Sequence, residues 1–364
     1  MKELKSYGWY AARISPLLPE EAFKPVPTRL WGGLAYLLIT VAGFLIIGLI
    51  EPPLWVSLII SVIVGLCFAG LGLLGHEILH GTVVRKAWLR DFLGAIAFWP
   101  LTTGPQLWRN WHNMNHHIYT QDEHRDPDAW LSKEQLAKYP LLIVLYKLPL
   151  WVRATISFVS LSFSFTLHSA RMFFRSLKNF HSNKKPKVWI QFILPWATWI
   201  SLLFFMGPVK WLLAFLIPLF IGNFIVMSYI STNHRLNPLV TVNDPLANSL
   251  TVTVPKWVDF LHFNFSYHTE HHLFPGISPK YYPLVKQHIL NMWPERYHQM
   301  PLVNAMIALL KTPRIYYEET ELVDPNHHHL YGTLGHGLDL DQYKYRVEGE
   351  AYLPTGTDIK QRDS

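Results

Sequence analysis

The residues best suited to chemistry in this 364-residue chain are its histidines, of which there are 19. Eight fall in three tight clusters: His76-Glu77-Ile78-Leu79-His80, His112-Asn113-Met114-Asn115-His116-His117 and His268-Thr269-Glu270-His271-His272. Histidine is the commonest metal-binding side chain. On a helix, residues three or four apart share a face. The spacing therefore predicts that His76 and His80 point together, that His112 and His116 do the same, and that His268 meets His271 and His272. Each cluster is a comb of imidazoles able to reach a shared ion. Eight imidazoles exceed the roughly four to six positions of one transition-metal ion and suit two. The single cysteine, Cys67, lies in an apolar run. It rules out an intramolecular disulfide and a cysteine-based zinc or iron–sulfur centre. Imidazole binds zinc, copper, iron and nickel alike, so spacing leaves the metal open.

His234, in Ser231-Thr232-Asn233-His234-Arg235, follows the last long apolar run. It either completes the ligand set or sits at a helix end near the last carbonyls. Glu77, Asp126, Asp128, Asp259 and Glu270 lie close in sequence to the clusters. They are candidates to hold a metal-bound imidazole in its tautomer, against the alternative of helix capping or solvation. His327, His328 and His329 sit in a polar tail. With His124, His168, His181, His288, His298 and His336, they read as ordinary, whereas His262 is a weaker candidate than His234 to complete the set.

The elements that must position these combs are apolar. Leu30 to Ile50 and Leu54 to Gly75 carry no charge over 21 and 22 residues. A helix rises about 1.5 Å per residue, so each run is long enough to cross a bilayer core. Only Glu51-Pro52-Pro53 separates them, which forces an antiparallel hairpin. Trp189 to Met206 and Trp211 to Ile230 form a second uncharged pair, joined through Gly207-Pro208-Val209-Lys210. The stretch 92–108 is broken by Pro, Gly and Thr. The stretch 140–180 is interrupted by Lys147, Arg153, Arg171 and Arg175. Both are expected to be interfacial. The predicted fold is an all-α membrane protein: four transmembrane helices in two hairpins, interfacial helices and a cytoplasmic helical di-metal cap. Residues 1–29 form an N-terminal segment without the apolar stretch of a cleavable leader, residues 30–320 the membrane domain, and residues 321–364 a polar, loosely packed tail.

Composition agrees. Half of the residues are hydrophobic and 16% are charged, against about a quarter in soluble domains. Fifteen Trp, 17 Tyr and 21 Phe suit a membrane–water interface. The formal net charge of +7 would also fit a nucleic-acid binder, but its distribution does not. The hairpin loops hold one basic residue, Lys210, whereas residues 1–29 hold five, 76–188 fifteen, and those after 231 eleven. The positive-inside tendency puts both termini and all three clusters in the cytoplasm. No nucleic-acid-binding motif is present. The spans carry no ionisable residue, which argues against a transporter with its site at the midplane.

His76–His80, His112–His117 and the stretch His268-Thr269-Glu270-His271-His272-Leu273-Phe274-Pro275-Gly276, set around two membrane hairpins, resemble the integral-membrane fatty acid desaturases over roughly residues 30–290. The third stretch looks like the acyl-lipid branch, and Asp126-Pro127-Asp128 also has a familial look. The resemblance implies two non-haem irons, molecular oxygen as co-substrate, and an external electron donor. It implies that His76, His80, His112, His116, His117, His268, His271 and His272 are ligands, with an extra ligand near His234. Asn233 adjoins His234 at an offset that differs from the water-mediated asparagine of acyl-CoA desaturases. The haem motif His-Pro-Gly-Gly of fused cytochrome b5 domains is absent, so the donor would be a separate protein such as ferredoxin or a cytochrome b5. A hydroxylase or ketolase acting on a lipid or carotenoid would share the scaffold.

Overall fold

A computed structural model describes residues 3–312, 315–323, 329–338 and 347–350. The first apolar run forms helix α2 (Leu30–Leu45), following a short N-terminal helix α1 (Tyr7–Ile14). The second forms α3 (Leu54–His80), which carries the first histidine cluster in its last turn. Gly81 ends α3 at φ 83°, and its N–H bonds back to the Glu77 and Ile78 carbonyls. That left-handed cap is the conformation glycine adopts at no steric cost. Helices α4 (Ala87–Phe98) and α5 (Pro105–Trp111) lead into the second cluster. A long helix α6 (Leu150–Ser176) follows, then α7 (Lys185–Met206) and α8 (Ile217–His234), the last continuing without a break from a helical stretch Pro208–Leu216 that widens to a π-helix over Leu212–Leu216.

Among the described residues, five helices are long and apolar enough to cross a membrane: Pro27–Ile50, Leu54–His80, Leu150–Asn179, Lys185–Met206 and Pro208–His234. The sequence reading expected four and took 140–180 as interfacial. The fifth meets the length and composition criteria because its basic residues lie near its ends and leave an uncharged stretch between Arg153 and Arg171.

Helices α3 and α8 form the centre of the bundle. A Cβ on Gly65 would lie 2.6 Å from Ile221, so the absence of a side chain sets how closely these helices approach. Small residues do this repeatedly between membrane helices. Helix α6 is pinned to α8 by Asn223, which accepts from the Thr166 backbone N–H at 2.9 Å and donates to Thr166 Oγ1 at 3.1 Å.

Above the bundle lie α9 (His268–Leu273), α10 (Tyr282–Met292) and α11 (Leu302–Lys311). Strands β1 (Thr251–Thr253) and β2 (Gln299–Pro301) pair in parallel. Strands β3 (Tyr316–Glu318), β4 (Glu321–Val323), β5 (His329–Gly332) and β6 (Val347–Glu350) form an antiparallel sheet in sequence order. The fold is thus mostly helical with few strands. The start of the polar tail is more ordered than its composition implied, because Leu322, Val323 and Leu334 are buried against the body.

Candidate metal centre

Four separate pieces of chain converge on one buried space: the end of α3, the segment after α5, the end of α8, and α9. The second cluster does not continue α5 as a regular helix. His112–His116 form a widened π turn, a device found at functional sites. Regular helical spacing would have paired His112 with His116. His112 and His116 do stack, at 5.1 Å between ring centres, and with Asp128 offer ligand atoms within 4.8 Å of one another; the wider turn also brings His112 and His117 together, five residues apart, with their Nε2 atoms 3.1 Å from each other. His116 is left to face a second group.

The nine histidines sort into two adjoining groups. In the first, His76, His80, His112, His117 and His271 each offer a nitrogen, all within 4.8 Å of one another. In the second, His116, His234 and His272 do the same. His268 joins the second group: its Nε2 lies 2.7 Å from that of His234 and 3.0 Å from that of His272. The second and third clusters therefore each contribute to both groups, and His234 stands fully among them.

The outer partners of the rings decide where their protons sit. His234 Nδ1 lies 3.0 Å from the Asn248 carbonyl, which can only accept. His272 Nδ1 lies 3.2 Å from Thr120 Oγ1, whose own proton is committed to the His116 carbonyl at 2.7 Å. His271 Nδ1 meets the Tyr282 hydroxyl at 3.0 Å, and that hydroxyl donates to the Phe274 carbonyl. His116 Nδ1 is 2.9 Å from Asp126. The Asn248 carbonyl and the committed Thr120 hydroxyl put the protons of His234 and His272 on Nδ1 and leave each a bare Nε2 lone pair aimed inward, while His116 donates its Nδ1–H to Asp126. His80 Nε2 is likewise buried with no protein partner. Lone pairs crowded at about 3 Å with no proton between them repel unless a cation lies among them. The donor set therefore fits metal ions, and the outer partners are those that orient metal-bound imidazoles.

Electrostatics point the same way. Burial, reinforced by neighbouring imidazoles, holds His112, His117, His268, His271 and His272 well below the usual histidine range, hence neutral. His116 differs. Burial pulls it down, but Asp126 and Asp128 more than offset this and raise it to about 8. Burial pushes Asp126 up despite His116. Burial works against the Asp128 carboxylate too, but His168, His116 and His234 outweigh it and bring it to about 2.

The acidic candidates divide. Asp126 accepts from His116 and from the Gln121 and Asp128 backbone N–H groups. Asp128 lies 3.6 Å from His116 Nδ1 and 2.8 Å from His168 Nε2. Glu77 instead pairs with Arg29, whose Nε donates at 2.8 Å. Asp259 accepts from Ser266. Glu270 accepts from Thr251 Oγ1 at 2.6 Å and Tyr297 at 2.5 Å. These three touch no histidine of the groups through those bonds. His262 faces the Tyr229 hydroxyl. His327 and His328 lie outside the described residues, and His329 is described only in its backbone. Thr120, Asn248, Tyr282 and His168 act on the site, yet no local motif marks them. They reach it only through the fold.

Two cavities approach the groups from different sides. One, of about 460 Å³, is lined by His76, His112, His116, His234 and His268 together with Phe98, Trp108, Trp111, Phe165, Val226 and Met227 among its apolar walls. The other, of about 570 Å³, is lined mostly by polar residues, His80 among them.

The family model for fatty acid desaturases matches residues 53–303. The chain belongs to the fatty acid desaturase family. Its membership makes it an oxidoreductase of lipid metabolism, in keeping with the membrane helices and histidine groups. It is 25% identical to the sn-1 oleoyl-lipid 12-desaturase of Synechocystis sp. over 74% of this chain and 77% of that protein. It is 25% identical to the chloroplastic omega-6 fatty acid desaturase of Spinacia oleracea, covering 82% of this desaturase and 68% of the relative. It is 22% identical to the acyl-lipid (7-3)-desaturase of Diacronema lutheri, over 83% and 72% of the two chains.

Proposed function

We propose that this protein is a di-iron, oxygen-dependent desaturase that introduces a double bond into the acyl chain of a membrane lipid, using electrons from a separate redox protein. The observation that carries the reading is the pair of all-histidine groups beside an apolar cavity. His76, His80, His112, His117 and His271 would hold one iron, and His116, His234, His268 and His272 the other. When bound, the iron pair supplies the oxygen-activating chemistry that no protein side chain can perform on an unactivated alkyl chain. The names of the relatives, two of which specify a lipid-linked acyl chain, support an acyl-lipid substrate.

The chain's own residues supply position. Phe98, Trp108, Trp111 and Phe165 wall the cavity, exclude water and hold an extended acyl segment beside the histidines. Orientation of this kind is a large catalytic lever. Asp126, Thr120 and Asn248 fix the imidazole protons on the outer nitrogens.

Chain direction supports four crossings. Helices α3 and α8 pack together and both end in site histidines, so they run the same way. Helix α7 begins on that same face, where Phe192 stacks on Phe173 of α6 and Lys187 meets Asp91. The segment between His80 and Lys185 starts and ends on one face, which requires an even number of crossings. Helix α6 has no partner crossing in that segment, and we assign it to the interface. The positive-inside rule then makes the site and both termini cytoplasmic.

Expression in a host with simple fatty acids, followed by mass spectrometry of its lipids, tests this reading. A new carbon–carbon double bond is expected. A hydroxyl or keto product would assign the chain to a hydroxylase or ketolase on the same scaffold, and an unchanged lipid profile from iron-loaded protein would refute the proposal.

A further inference from the structure

The polar cavity has no place in binding an acyl chain. It is lined by twelve residues, including His80, Arg90, Arg109, His181 and Lys184, and no carboxylate lines it among the described residues. Gln106 Oε1, Asn110 Oδ1, Asn113 Oδ1, Arg90 Nε and Arg109 Nε are buried there without a protein partner, a lining suited to water. It shares no lining residue with the apolar cavity. His80 is at once a wall of this cavity and a member of the first histidine group.

The surroundings of the cavity are strongly cationic. Segments 81–121 and 171–188 together hold ten basic residues and one acid, Asp91. Asp91 is already paired with Arg109 and Lys187. Since the whole chain has a formal charge of +7, the remainder is slightly acidic; of the ten, Arg90, Arg109 and Lys184 line the cavity itself, whereas Arg171 lines the apolar one. The reaction needs electrons here. Converting –CH2–CH2– to –CH=CH– breaks two C–H bonds and yields two electrons and two protons. Reducing O2 to two waters takes four of each. Two electrons must come from outside, with two solvent protons.

We infer that the cationic rim around the His80 cavity is the docking site of a small one-electron redox protein with an acidic face, placing its prosthetic group over His80. This rests on the desaturase reading and names which surface of the chain serves it. Opposite charge at a rim mainly accelerates encounter and makes it salt-dependent.

The test uses the full chain in phosphatidylcholine nanodiscs with a plant-type [2Fe–2S] ferredoxin as probe. Lys184→Glu/Lys185→Glu reverses the rim at the N-terminus of α7, where acidic residues favour the helix. At low ionic strength the ferredoxin association rate constant should fall about tenfold, and high salt should abolish the difference. Lys280→Glu, a reversal away from the cavity, should leave the rate unchanged, and iron content should be equal in all three. Equal association rates for the double variant and the wild type would overturn the proposal. So would a difference that appears only in discs containing anionic lipid, which would make the rim a membrane contact. Lys184-dependent ferredoxin binding without any lipid product would uphold the docking site and refute the desaturase reading instead.

Discussion

Asp126→Asn should loosen one metal of the pair and spare the other. The Asp126 carboxylate takes the His116 Nδ1 proton at 2.9 Å, and it also accepts from Gln121 N and Asp128 N at 2.8 and 2.9 Å. An amide keeps the shape, and with its oxygen toward His116 and Asp128 N it loses only the bond from Gln121 N, at about 1–3 kcal/mol. It loses the negative charge that makes the His116 Nε2 lone pair basic. Removing such an outer partner costs about 10–100-fold in metal affinity, or roughly 1.4–2.7 kcal/mol. Alanine would be a poorer probe, because two buried backbone N–H groups would lose their acceptor at about 1–3 kcal/mol each. His116 faces His234 and His272, and although its ring also stacks on His112, it is assigned to the second metal, so a chelator titration of purified protein followed by mass-spectrometric metal counting should resolve two steps. In the variant, one step should move to 10–100-fold lower chelator concentration while the other stays. Unchanged release of both metals, or loss of both together, would refute the assignment of His116 to a separate site.

Further consequences can be checked on the same material. His80→Ala should remove metal from the first group and abolish product while His234→Ala empties the second, as read by metal counting on folded variants. Arg29→Met leaves the buried Glu77 carboxylate without its partner and should cost about 3–5 kcal/mol. The additional change Glu77→Gln should recover part of the lost thermal stability. His262 is held at about 4 by burial, below its unfolded value, so the stability this neutral ring contributes is present above about pH 6.5 and is lost as pH falls toward 4. By linkage that loss is at most ~3 kcal/mol, and His262→Gln should flatten the acid limb of the unfolding curve.

The stretches that carry the histidine groups were legible because histidines at three- and four-residue spacing form local combs, and the apolar spans because uncharged runs of bilayer length leave few alternatives. The division into two groups was not legible. It depends on the π turn at His112–His116, which splits one comb between two sites against regular helical spacing. Nearness in sequence also misjudged Glu77 and Glu270. Each sits beside a ligand, but on a helix the neighbouring residue points elsewhere, to Arg29 and to Thr251 with Tyr297 respectively. The partners that do orient the rings, Thr120, Asn248 and Tyr282, come from loops and helices that only tertiary folding brings in. His168 looked ordinary because its link to the site runs through Asp128, 40 residues away. Helix α6 shows the opposite difficulty: length and apolarity make it a candidate span, whereas the direction of its neighbours argues for the interface.

The central claim is that two histidine-ligated irons lie in this chain. Metal analysis of the purified protein by plasma mass spectrometry, with X-ray absorption at the iron edge, tests it most directly. The account predicts two irons per chain in a shell of light nitrogen and oxygen neighbours without sulfur. A single ion, or a full complement of zinc in protein that is catalytically competent, would contradict it.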